Sequence, residues 1–276
     1  LGQPGNAALL MRKEIRLDGK AVRATAFICG LGYSELEVNG RKIGTDVLDP
    51  GFTDFSRRVL YRTYDVTDVL RPGANALGVI LGGGWFNLAT PDLFAFERAP
   101  WSASPRLLFQ LHIELADGTT RTVVSDDSWK WSTGAITFNC VRGGETIDAR
   151  EDKPGWSLAG YDDAGWHTAV AVARPTGKLV SQQHPQIRVT ESIRPVRLTE
   201  PKPGVYIFDL GVNIAGWAQL STRGPRGTKI TLQFNERLKP DGTLDTGNLT
   251  SHTYGRFQTE EFILKGEGDE TFEPRF

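Results

Sequence analysis

The chain has 276 residues, of which 24% are charged and 39% hydrophobic, and a formal net charge of −1. That length suits one large or two ordinary domains. The near-neutral balance, with no Lys or Arg run longer than two, argues against a phosphate-gathering surface and hence against a nucleic-acid partner.

No apolar run approaches the roughly 18 residues of a membrane helix, so no membrane partner is expected. Leu1-Gly2-Gln3-Pro4 lacks an initiator Met and a signal-type apolar core, and reads as a domain cut. Cys29 and Cys140 are too few for a disulfide framework or a zinc site and read as buried free thiols.

Residues 22 to 38 read as two strands around a turn, with Val22, Ala24, Ala26 and Ile28 alternating on one face. Asn39-Gly40 supplies a type I′ hairpin turn, and Arg41 starts the return strand. The same grammar continues through LYRTYDVT (60 to 67), the buried run ALGVILGGG (76 to 84), and RLLFQLHIEL (106 to 115) with its hairpin partner TRTVVSD (120 to 126). No capped helical pattern of ten or more residues occurs, so helix should be scarce.

After Trp166 the texture changes, with Pro175, Pro185, Pro195, Pro201 and Pro203 punctuating short strand candidates. Strands resume as VYIFDLG (205 to 211), GWAQLSTRG (216 to 224), KITLQFNERL (229 to 238) and TEEFILKG (259 to 266). The expectation is an all-β chain of two β-sandwich, jelly-roll-like domains in tandem, over residues 1–180 and 181–276, the second lacking strands at its C-terminal end.

The motif order VNGRKIG, LDPGFTDFSRRVLYRTYDVTDVLRPGANALGVILGGGWF, GETIDAREDKPGW and GYDDAGW resembles the N-terminal accessory domain of bacterial α-L-rhamnosidases. VYIFDLGVNIAGW, NERLKPDGTL and FILKGEGDETFEPRF resemble the concanavalin-like sandwich that follows it. The chain departs from the family's DFGQN-type turn at Val212 and from its GDGW-type turn at Gly83. The resemblance implies a non-catalytic part of a hydrolase for terminal α-L-rhamnose, whose acid and base lie in a separate α/α barrel. That barrel and L-rhamnose-containing glycans are the implied partners, and polysaccharide substrates imply a periplasmic or extracellular setting. The alternative is a bracing scaffold that binds no ligand.

A sugar site needs an aromatic platform and a few fixed polar groups. Gly82-Gly83-Gly84 should turn sharply and place Trp85, Phe86 and Asn87 on a rim, followed by a loop with Asp92 and Trp101. The bland reading is that Trp85 and Phe86 close one end of the core. Rhamnosidase sugar modules also imply Ca²⁺, for which Asp46, Asn87 and Asp92 are the candidate ligands beside Asp49, though Asp49-Pro50-Gly51 is also an ordinary turn formula.

No catalytic constellation is found: Glu145 and Asp148 should point to opposite faces of a strand, and Asp148 with Arg150 should form a buried pair tying strands together. His112, His167, His184 and His252 are scattered. Trp156 and Trp166 read as structural, and the resemblance implies that Asn213 and Trp217 mark a turn facing the catalytic barrel or the substrate entrance.

Overall fold

A computed structural model describes residues 6–91, 93–247 and 255–276. The first part contributes β1 (Leu9–Leu17), β2 (Ala21–Leu31), β3 (Tyr33–Val38), β4 (Arg41–Lys42), β5 (Arg58–Asp65), β6 (Gly73–Gly82), β7 (Arg106–Leu115), β8 (Thr120–Val124), β9 (Lys130–Thr133), β10 (Ile136–Cys140), β11 (Gly144–Asp148), β12 (His167–Thr168) and β13 (Lys178–Ser181). The rest contributes β14 (Arg197–Lys202), β15 (Val205–Asp209), β16 (Leu220–Thr222), β17 (Lys229–Gln233), β18 (Thr259–Ile263) and β19 (Glu270–Phe272). Helical backbone among the described residues is confined to three short 3-10 turns.

Two sheets form the first sandwich, one ordered β12-β9-β1-β6-β3-β4 and the other β13-β5-β2-β7-β8. Strict alternation drives them together: Phe109, Leu111 and Ile113 of β7 meet Leu77, Val79 and Leu81 of β6 in one core with Trp129. At Asn39 and Gly40 both φ angles are positive, as the expected I′ turn demands. Val22 departs from expectation: the register slips between Ala21 and Arg23, and this bulge turns Val22 outward while Ala24, Ala26 and Ile28 stay inside.

β6 is buried along most of its length because its outer face is covered too. A Cβ at Gly78 would strike the Trp156 ring at 2.8 Å, and one at Gly82 would strike Phe276 at 2.5 Å. The covering loop is fastened by buried Arg12, which donates to the carbonyls of Trp156 (2.9 Å) and Leu158 (3.1 Å) and pairs with Asp163.

The two halves share a sheet. β18 lies parallel to β11, with Ile147 opposite Phe262, in a sheet ordered β10-β11-β18-β17. β14-β15 and β16-β19 are separate two-stranded ribbons. β13 runs parallel to β5, so residue 180 lies within a strand of the first sandwich.

Candidate functional site

The end of β6 passes close to the turn after β2. A Cβ at Gly83 would lie 2.7 Å from the Asn87 carbonyl, and Gly84 has a φ of +51° with its Cα side against Gly32. Only glycine lets the chain reverse there and deliver Trp85 to the surface.

Around Trp85 stands an aromatic array. Its ring centroid lies 5.2 Å from that of Phe52 and 5.6 Å from that of Phe96, and the Arg142 guanidinium sits 5.4 Å above it. Arg142 also lies 5.6 Å from the Phe94 ring, a cation–π bridge between the two aromatics. Phe55 forms the floor, in contact with Phe52, Phe86 and Trp101. The open rings are those of Phe94 (62% exposed) and Phe52 (42%), since partners cover much of Trp85. Such an array offers apolar ring faces to C–H groups.

Phe86 is not on the rim as expected. It is fully buried against Phe55, because the turn at Gly83 sends alternate side chains inward and outward. Trp101 packs 6.0 Å from Phe55, and its indole N–H is buried without a hydrogen-bond partner. Such a group costs about 1–3 kcal/mol unless something supplies an acceptor. Asn87 faces elsewhere, donating its backbone N–H to Gly83 and bordering a narrow cleft of about 10 Å³ with Asn6 and Asn139. Asp92 lies outside the described residues.

Asp46 and Asp49 are buried and face a cation already. Arg62 Nη2 lies 2.9 Å from Asp46 Oδ2, and Arg62 Nε lies 2.8 Å from Asp49 Oδ2, a charge contact without hydrogen-bond alignment. The Tyr64 hydroxyl donates to Asp46 at 2.7 Å, and the Gln182 amide donates to Asp49 at 2.7 Å. Burial pushes the Asp49 carboxyl above the usual range, against the pull of Gln182 and Arg62. The guanidinium occupies the place an ion would take between these carboxylates, and Asp46 and Asn87 have no hydrogen-bond or ion-pair partner in common. Among the described residues no group of three His, Cys, Asp or Glu side chains stands close enough to hold a metal.

The acidic residues of β11 are structural. Glu145 is fully buried, accepts the backbone N–H groups of Arg275 (3.1 Å) and Phe276 (3.2 Å), and donates its own N–H to Glu260 at 2.6 Å. Burial pushes Glu145 up to about 8 and Glu260 up to about 7. Asp148 does not tie strands together as expected. It caps the 3-10 turn at Ala149–Glu151 and grips Arg150 of that same turn at 2.7 and 2.8 Å, because the strand ends before Arg150.

Trp156 and Trp166 stack at 6.3 Å, while Asp163 between them engages Arg12 and Lys130. Asn213 donates to Glu236 and Trp217 to Glu273, beside exposed Val212 and Ile214. His252 lies outside the described residues.

Sequence reasoning missed Phe52, Phe94, Phe96 and Arg142. The density of aromatics in GFTDF and LFAF was the available signal; Arg142 gave none.

Two family models match this chain: the alpha-L-rhamnosidase N-terminal domain over residues 19–191 and the bacterial alpha-L-rhamnosidase concanavalin-like domain over residues 199–276. An alpha-L-rhamnosidase of Streptomyces avermitilis is 40% identical over 98% of this chain, and one of Formosa agariphila is 35% identical over 99%. The chain spans 26% and 29% of those relatives' lengths. The Streptomyces avermitilis alpha-L-rhamnosidase solved in complex with L-rhamnose superposes with a TM-score of 0.93 at 39% identity, over 99% of this chain and 26% of that one. The alpha-L-rhamnosidase from Dictyoglumus thermophilum superposes with a TM-score of 0.90 at 39% identity, over 98% and 29%.

Proposed function

Because this chain belongs to the bacterial α-L-rhamnosidase family, we propose that it is a non-catalytic part of such an enzyme, binding carbohydrate on the aromatic array around Trp85 and bracing a catalytic barrel. The observation that carries this reading is the pair of open rings, Phe52 and Phe94, held beside Trp85 and Arg142 at one end of a rigid sandwich.

Hydrolysis with inversion needs two carboxyl groups about 6.5–9.5 Å apart across the scissile bond. Glu145 is sealed in the shared sheet and Asp148 is held by Arg150, so we assign the acid and base to the barrel. The bracing role rests on a different observation: Val196, Leu198, Tyr206 and Phe208 form an exposed apolar surface suited to a neighbouring domain.

Calcium stays in the proposal in the form these residues allow. Arg62 already neutralises Asp46, so of the candidate ligands among the described residues Asn87 remains, to be completed by main-chain carbonyls.

The test is calorimetric titration with L-rhamnose, the ligand of the Streptomyces avermitilis structure, in Ca²⁺ and in EDTA. Saturable binding with a Kd on the order of 1 mM, lost in Trp85→Ala and Phe94→Ala, is the expected result. A flat titration by a folded chain would leave the bracing role alone. Loss of binding in EDTA and in Asn87→Ala places the ion at the site, and unchanged binding removes it.

A further inference from the structure

At one end the outward face of the sheet β13-β5-β2-β7-β8 backs the aromatic array, where Cys29 and Tyr61 share a cluster with Phe55 and Phe86, and the rest of the face has no part in the reading above. Alternation along β7 sends Phe109, Leu111 and Ile113 into the core and turns Leu108, Gln110 and His112 out. β2 turns out Phe27, directly opposite Gln110. With Tyr61 of β5 and Leu179 of β13, these side chains line an open groove of about 280 Å³ over buried Cys29.

We propose that this groove is a second carbohydrate site, taking one neutral sugar ring, distinct from the array around Trp85. Its size falls just below that of drug-sized ligand sites, which run from about 300 to 1,000 Å³, and so suits a single ring. Phe27 stands between Tyr61 (6.1 Å between centroids, 62° between planes) and His112 (5.8 Å, 83°), and the three make a continuous aromatic wall.

The polar edge is built as well. Gln110 Nε2 lies 2.6 Å from His112 Nε2, and the Thr122 hydroxyl lies 3.2 Å from His112 Nδ1, so both ring nitrogens are engaged and the imidazole is fixed. The Gln110 amide carries two N–H donors and a carbonyl, of which that contact uses one atom, and the remainder is available at the groove.

Charge selects the ligand class. No carboxylate, ammonium or guanidinium lines the groove, so an ionic ligand finds no counter-charge. A ring with C–H groups on its face and hydroxyls on its rim meets an apolar wall, the remaining amide atoms of Gln110 and the phenol of Tyr61, which complement it.

The experiment is NMR of the whole chain labelled at its leucine methyl groups and its indole nitrogens, titrated separately with L-rhamnose and D-glucose to about 100 mM, a hundredfold above a Kd of ~1 mM. The Leu108 and Leu179 methyl signals report on the groove, and the Trp101 indole signal reports on the aromatic array. The groove signals are expected to shift saturably with at least one sugar, and Gln110→Leu and Tyr61→Ala are each expected to weaken that response about tenfold. In Phe94→Ala the groove response should persist while the Trp101 response is lost, so either site can fail without the other. Absence of any groove shift with both sugars overturns the proposal, as does a shift unchanged in both groove variants. Groove signals that follow protein concentration instead of sugar would assign the face to a second copy of the chain and also overturn it.

Discussion

In β7, Phe109, Leu111, Ile113 and Leu115 are buried, whereas in β14 and β15 the side chains of Leu198, Tyr206 and Phe208 remain more than half exposed. Both regions are extended strands that pair antiparallel. They differ in what lies across from them. The inner face of β7 looks onto a six-stranded sheet, while β14 and β15 form a two-stranded ribbon. Alternation creates two faces of a strand, but burial needs a second layer, and a lone ribbon gains little from its apolar residues. β17 and β18 stand between these extremes: joined to β10 and β11, they bury only a small core of Phe262, Leu264 and Phe272.

Four substitutions grade that contrast. Trp129→Ala, at the fully buried centre of the first sandwich, should cost about 3–5 kcal/mol in urea unfolding. Leu264→Ala, in the smaller core, should cost about 2–3 kcal/mol, because a site with fewer walls collapses more readily. Equal losses at the two positions would break the comparison.

Glu145→Gln should cost about 1–2 kcal/mol, as the hydrogen bonds to Arg275 and Phe276 weaken. It should also change the pH dependence. Glu145 is raised from 4.5 to about 8, and Glu260 from 4.5 to about 7, so the folded chain holds protons that the unfolded chain releases. The sign follows: the stability from these protons is complete below about 4.5 and is lost as pH rises through 7 to 8. Arg256 and Arg275 lie beside the pair and pull the other way without reversing the shift. Melting temperatures should therefore fall between pH values of about 5 and about 9, and the Glu145→Gln variant should flatten the curve. A flat curve for the parent chain would mean that the seam does not titrate.

The smallest effect is expected at Leu198→Thr, within about 0.5 kcal/mol in unfolding, with a measurable drop in binding of a hydrophobic dye. A loss as large as that of Leu264→Ala would show that the ribbon face is already covered.

Much of this was legible in the amino-acid order. β7 was read residue for residue, since its apolar positions alternate from Phe109 to Leu115. β1 escaped, because Arg12, Lys13, Glu14 and Arg16 interrupt its pattern, and the partners that allow Arg12 to be buried, Trp156, Leu158 and Asp163, lie far along the chain. Val22 was assigned to the wrong face because a bulge has no periodicity to betray it.

At the site, Trp85 and Trp101 stood out as large aromatics, but Phe52 and Arg142 join them through folding alone. The family resemblance suggested an ion at Asp46 and Asp49, and nothing local reveals that Arg62 on β5 fills the space between them.

The parallel pairing of β11 with β18 also sets a schedule. Residues 145 and 260 are 115 positions apart. A ribosome adding roughly 5–20 residues per second needs on the order of 6–23 s to supply the partner strand after the hairpin of β10 and β11 has emerged. During that interval the hairpin presents an open edge to neighbouring nascent chains. The first sandwich can therefore complete its core early in synthesis and still depend on its final strands to close the edge on which strangers would pair.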